Sequence, residues 1–141
     1  MRRKGRSPTQ RTLAELRARG MIADVVERRS PPRPGLPWGQ THDYLGCVDI
    51  IAFDPTVTLA VQSCGSAFAE HWRKITEDCA HEVREWLRGP SRRMELWGWR
   101  KVKKVRGGKA MVWAPRVREV TLEDVDLVEA AETKTGGLFD E

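Results

Sequence analysis

The sequence has little cysteine, no long apolar run and none of the common hydrolase motifs, and each shortage excludes something. Its three cysteines, Cys47, Cys64 and Cys79, are odd in number and lack C-x-x-C spacing, so neither a disulfide framework nor a thiolate zinc site is expected to hold the fold. None is needed, because a chain of 141 residues removes about two-thirds of its unfolded surface from water when it folds. The longest apolar stretch, Cys47 to Phe53, is interrupted by Asp49 and falls far short of the ~18 residues of a membrane span. The opening MRRKGRSPTQ has no apolar segment of the signal-peptide kind. With the unpaired thiols, this sets the expectation of a cytoplasmic, intracellular chain with no membrane partner. G-x-x-x-x-G-K-[ST] and G-x-S-x-G do not occur, and His42, His71 and His81 fit no zinc spacing, which excludes the usual nucleotide-hydrolase, serine-hydrolase and zinc readings.

Charge is present, and it is segregated. Up to Arg33 there are ten Lys+Arg against three acids, while Glu119 to Glu141 holds eight acids and one Lys. A second basic cluster comprises Arg100, Lys101, Lys103, Lys104, Arg106 and Lys109. With a sequence pI near 9.4, these blocks favour a polyanionic partner, nucleic acid before membrane, since no long basic amphipathic helix accompanies them.

Ser7-Pro8-Thr9-Gln10 has capping-box order with Pro at the first helical position, which predicts a helix over 8–19 ending at Gly20. Residues 21–29 read as a strand. Residues 30–40 hold four of the eight prolines and read as an exposed loop whose Arg33 and Trp38 are placed to touch a ligand. Residues 48–54 and 57–64 read as an antiparallel hairpin, apolar on both faces, in which Asp49 and Gln62 are the exceptions. Phe68, Trp72, Ile75, Cys79, Val83 and Trp86 recur at helical spacing, predicting one helix over 66–88 stopped by Gly89-Pro90. Two more strands, 92–102 and 109–120, follow, the second an edge strand because of Pro115. Trp97 and Trp99, alternating on one face, read as core beneath the 66–88 helix, with base stacking as the other reading. Residues 1–121 then form a single α/β domain with a central mixed sheet of about four or five strands flanked by helices, and 122–141 an acidic, flexible tail that starts as a short helix capped by Thr121.

A carboxylate in an apolar strand is costly unless it is used, which makes Asp49 the first candidate for chemistry. The stretch Gly46-Cys47-Val48-Asp49-Ile50-Ile51-Ala52-Phe53, a turn, and Leu59-Ala60-Val61-Gln62-Ser63-Cys64 resembles the core hairpin of the PD-(D/E)XK restriction-endonuclease-like superfamily. It is most similar to the Holliday-junction-resolvase-like nucleases and phage-borne proteins of that type. The resemblance spans residues 7–102 and implies an α-β-β-β-α-β core. Carried over by position, Asp49 matches the family Asp, with Val48 where Pro is usual. Gln62 stands at the second acid, Cys64 stands where the family has Lys, and Glu15 matches the acid of the first helix.

The resemblance implies a metal-dependent DNA endonuclease acting by phosphodiester hydrolysis, with Mg²⁺ or Mn²⁺ held by Asp49, Gln62 and Glu15. Some members carry the lysine on the following helix instead, which would give its role to Lys74 or Arg73, although helical spacing sets both opposite Phe68, Ile75 and Trp86. The implied DNA contacts, to duplex or branched substrates, are Arg73, Lys74, Arg100, Lys101, Lys103 and Lys104, and resolvase-like proteins are commonly homodimers. Asp43, six residues before Asp49, reads as a loop cap. Since Gln62 and Cys64 remove an acid and a lysine, two further readings stand beside the nuclease. One is an inactive DNA-binding module of the same fold; the other is a protein–protein adaptor acting through the acidic tail.

Overall fold

The computed structural model describes residues 5–35, 37 and 39–126. Helix α1 spans Pro8–Ala18 and starts as its residues dictate: Ser7 Oγ accepts from Gln10 N and Gln10 Oε1 from Ser7 N, with Pro8 in the first turn. After it come strands β1 (Ile22–Val25), β2 (Arg28–Ser30), β3 (Gln40–His42), β4 (Ile50–Phe53) and β5 (Thr58–Cys64), helices α2 (Phe68–Arg73) and α3 (Ala80–Arg88), then β6 (Arg92–Lys103) and β7 (Met111–Val120). Five strands form one mixed sheet in the order β1-β4-β5-β6-β7. Only β5 and β6 run parallel, because the helical segment 68–88 carries the chain across between them.

The middle of the sheet, β4, β5 and the first part of β6, is covered on both faces. Leu16 of α1 packs with Ile50, Val61, Trp97 and Trp99; on the other face Val48, Ala60, Ile75, Val83 and Leu96 pack together, joined by Phe68, Trp72 and Trp86. The apolar stripe read from the sequence therefore does face the core. Gly98 is needed where α2 crosses β6, since a Cβ there would lie 2.6 Å from Phe68 Cδ2.

Four expectations are corrected. The strand foreseen over 21–29 is two: it leaves the main sheet after Val25, and β2 pairs instead with β3 in a separate two-stranded ribbon. That ribbon frames the proline-rich segment, whose Trp38 lies outside the described residues. The helix foreseen over 66–88 is interrupted by a π-helical turn, Lys74–Asp78, in which Cys79 N donates to Lys74 O. Trp97 and Trp99 are core, as expected, but under α1 and not under the 68–88 segment. At the C-terminal end, packing continues past residue 121. Thr121 and Asp124 cap a short helical turn reciprocally, and Val125 is fully buried. The rest of the expected tail lies outside the described residues. Among those described, no helix is long and apolar enough to cross a membrane.

One buried hydroxyl ties α1 to the sheet. Thr12, with 0% exposure, donates to Pro8 O and accepts from Ser63 Oγ at 2.9 Å and Trp99 Nε1 at 2.8 Å. Thr12→Val preserves shape but leaves both donors unpaired in an apolar layer, so a loss of about 2–4 kcal/mol is expected in urea unfolding, against under about 1 kcal/mol for Thr12→Ser.

Candidate functional site

Strand β4 begins at Ile50, and just before it the ladder to β5 ends: Asp49 N still donates to Val61 O, but no β4 residue pairs with Ser63. The Asp49 side chain takes its place, Oδ2 accepting from Ser63 N at 2.8 Å and from Gln62 Nε2 at 2.8 Å. Asp49 thereby sits at the end of the sheet with 4% exposure, next to Gln62 at 3%. The remaining atom of that amide, Gln62 Oε1, is buried and without a hydrogen-bond partner.

Two more carboxylates converge there. The chain reverses over 43–48, where Tyr44 bridges Val48 and Gly46 takes φ 81°, and this turn brings Asp43 back to Asp49. Glu27 arrives from the other side, just past the point where Val26 N donates to Asp49 O. One oxygen from each of Glu27, Asp43 and Asp49 lies within 4.8 Å of the others. The π-helical turn delivers the cation: Lys74 Nζ stands 3.1 Å from Asp43 Oδ2.

The electrostatics follow from this crowding. Burial, then a hydrogen bond and like charge from Asp43 and the charge of Glu27, push the Asp49 carboxyl up to about 7, against the lowering pull of Ser63 N–H. Lys74 loses solvation, yet its hydrogen bond to Asp43 and the charges of Asp43 and Asp49 outweigh that loss and hold its ammonium above the usual lysine range. Burial and the Asp49 charge raise Cys64, so it is a neutral thiol lying against the core, unable to replace a cation. Beside the carboxylates a cleft of about 480 Å³ is lined by Arg28, Arg29, Ser30, His42 and Asp43, with Ser30 Oγ 2.9 Å from His42 Nε2.

Of the residues foreseen, Asp49 and Gln62 meet, and Lys74 reaches the same cluster through Asp43. Glu15 does not join them; it pairs with Arg19 at 3.3 Å on the helix covering the opposite face. Arg73 is in solvent, 3.8 Å from Glu77. The expectation that Lys74 shares that outward face is corrected: at the first residue of the π turn, its ammonium reaches Asp43. Asp43 is no loop cap; its backbone closes the turn while its carboxylate faces Lys74. Glu27 was hidden by reading 21–29 as one strand. Arg100, Lys101, Lys103 and Lys104 are all exposed along and beyond the end of β6.

Comparison of the chain with protein-family models, curated proteins and solved structures finds no match.

Proposed function

We propose that the protein is a metal-dependent nuclease of the PD-(D/E)XK type, hydrolysing phosphodiester bonds in DNA at the Asp49 site. The observation that carries this reading is the convergence of Glu27, Asp43 and Asp49 with Lys74 at one end of the sheet. The order α1, β1, β4, β5, helical crossover, β6 also agrees with the α-β-β-β-α-β core of that superfamily.

The residues fit a hard divalent cation. Mg²⁺ and Mn²⁺ take oxygen ligands, and three carboxylates within one ion's reach supply them. The orphaned Gln62 Oε1 points the same way. A half-turn exchanges the two ends of a carboxamide, so Gln62 can offer Asp49 an N–H or offer a cation its oxygen. Asp49, Asp43 and Glu27 would hold the ion, with Gln62 beside them. When bound, it supplies Lewis-acid polarisation of the phosphate and a water that ionises near neutral pH. The protein's own groups supply the rest. Lys74 offsets negative charge gathering at the phosphate, the role left vacant at Cys64. Arg28, which lines the cleft beside the carboxylates, gives a phosphate there a charge-assisted donor. Asp49 must give up its proton before it can act as a ligand.

The test is cleavage of a labelled four-way junction, duplex and single strand in Mg²⁺ or Mn²⁺ against EDTA. Metal-dependent nicking lost in Asp49→Ala supports the reading. Retardation without cleavage overturns it in favour of the inactive binding module that Gln62 and Cys64 also suit. A second expectation concerns pH: because the Asp49 proton competes with the ion, Mn²⁺ affinity measured by calorimetry should rise about tenfold per pH unit up to about pH 7 and level off above it. A pH-independent affinity would remove Asp49 from the ligands.

A further inference from the structure

Strands β5 and β6 are in register only as far as Cys64 and Gly98. Beyond Gly98, β6 has β7 alone, in pairs running from Trp99 with Pro115 to Lys103 with Met111. Past Trp99, which is still buried under α1, the chain therefore projects a two-stranded ribbon from Arg100 onward, about 14 Å long at ~3.4 Å per residue. It leaves from the end of β5 that carries Gln62 and Ser63, two strands across from Asp49, or about 10 Å at ~4.8 Å per strand.

The ribbon's chemistry is one-sided. Between Glu95 and Glu119 there is no acid, while the ribbon and its turn carry Arg100, Lys101, Lys103, Lys104, Arg106 and Lys109, and Arg116 and Arg118 stand at its base. Aromatic rings hold several in place. On the α1 side, Trp113 is 43% exposed and lies under Arg11 at 4.2 Å and Lys101 at 5.4 Å. On the α2 side, Arg116 stacks on Phe68 at 4.1 Å and Arg118 on Trp72 at 3.7 Å. A flexible cation usually loses rotamer freedom when it binds phosphate; here part of that ordering precedes the ligand. The exposed Met111 and Trp113 stand opposite Lys103 and Lys101, so apolar area is interleaved with charge and forms no continuous patch. Edge pairing with a second copy is opposed by Pro115, which has no N–H, and by repulsion between the arginines of β7.

We infer that the β6–β7 ribbon, residues 100–114, together with Arg11, is a duplex-DNA arm that enters a groove and grips the flanking phosphates, delivering the backbone to the Asp49 end of the sheet. The major groove, about 12 Å wide, admits a two-stranded β-ribbon. The choice of DNA rests on the nuclease reading; the ribbon's binding does not depend on cleavage.

The experiment is fluorescence anisotropy with a short labelled duplex, the full chain and EDTA, over a salt series. It compares wild type, the triple variant Lys101→Ala/Lys103→Ala/Lys104→Ala, Trp113→Ala, and Arg88→Ala as a remote control. Neutralising three phosphate contacts should flatten the log Kd against log salt slope by about 2–3. Trp113→Ala should weaken binding about three-fold by freeing Arg11 and Lys101, and Arg88→Ala should change neither. These exposed substitutions should leave the thermal midpoint in place, which circular dichroism checks. An unchanged slope in the triple variant overturns the arm, as does tighter binding to single strands or to poly-glutamate than to duplex. Binding lost in the triple variant with no cleavage by wild type in Mg²⁺ leaves the arm and sinks the nuclease. Cleavage and binding both unaffected in the triple variant do the reverse.

Discussion

Asp49→Asn is expected to abolish metal-dependent cleavage, by about 10²–10³-fold or more, and at the same time to stabilise the metal-free protein at pH 8. The asparagine oxygen still accepts from Ser63 N and Gln62 Nε2, the two bonds that Asp49 Oδ2 accepts at 2.8 Å each, so the end of the sheet keeps its closure. What goes is a carboxylate forced into a buried position beside Asp43 and Glu27. Burial raises the folded-state value to about 7 from an ordinary 3.8, so the folded protein binds this proton more tightly than the unfolded chain does. The stabilisation it contributes is full below the ordinary carboxylate range, is lost progressively as pH rises toward 7, and changes no further once pH has passed that value. At ~1.36 kcal/mol per pKa unit the loss is on the order of a few kcal/mol. The asparagine has no proton to lose. In EDTA, its melting temperature should therefore match wild type near pH 4 and exceed it by roughly 10 °C at pH 8. Saturating Mn²⁺ should close the gap by raising wild type alone. If Asp49→Asn melts lower than wild type at pH 8 without metal, Asp49 is there to pair Ser63 and not to bind an ion.

The same residues show what the sequence discloses and why the rest is hidden. The capping box at Ser7, the hairpin around Asp54-Pro55 and the helical stripe from Phe68 to Trp86 are local patterns. All three appear where they are read, because alternation and i, i+3, i+4 spacing report directly on which face is buried. Asp49 and Gln62 are legible for a related reason: polar groups inside apolar strands stand out. Glu27 and Asp43 are not legible, since neither departs from its surroundings until a turn at Gly46 and the parting of β1 from β2 bring them beside Asp49. Lys74 is misread for a subtler reason. Helical spacing assumes 3.6 residues per turn, and one π turn of five residues, Lys74–Asp78, shifts the phase within an otherwise regular stripe. The pairing of Glu15 with Arg19 instead of the metal site follows the ordinary preference of an i, i+4 pair on a helix surface, which positional analogy to a family outweighs on paper but not in space.

Lys74→Gln separates the lysine's chemistry from its role as a counter-charge. Its ammonium touches the carboxylate cluster, 3.1 Å from Asp43 Oδ2, and its side chain is 35% exposed. If it neutralises charge developing at the phosphate, the substitution should lower kcat by about 10²–10³-fold. Its effect on the ion should run the other way. A cation beside three carboxylates repels a second cation, so its removal should tighten Mn²⁺ binding several-fold, about 1 kcal/mol after allowance for solvent screening. Weaker turnover with tighter metal is a signature that general unfolding does not produce, because unfolding scatters the carboxylates and weakens both. Lys74→Arg should keep the metal affinity near wild type and recover part of kcat, since the charge is retained but the guanidinium is longer and planar. Arg73→Gln, one residue away and paired with Glu77 at 3.8 Å, should leave both quantities unchanged, because Arg73 is in solvent while Lys74 touches Asp43. A Lys74→Gln protein that cleaves at the wild-type rate would return the lysine to an ion pair with Asp43, and one that binds Mn²⁺ more weakly would mean that Lys74 organises the carboxylates and does not compete with their ion.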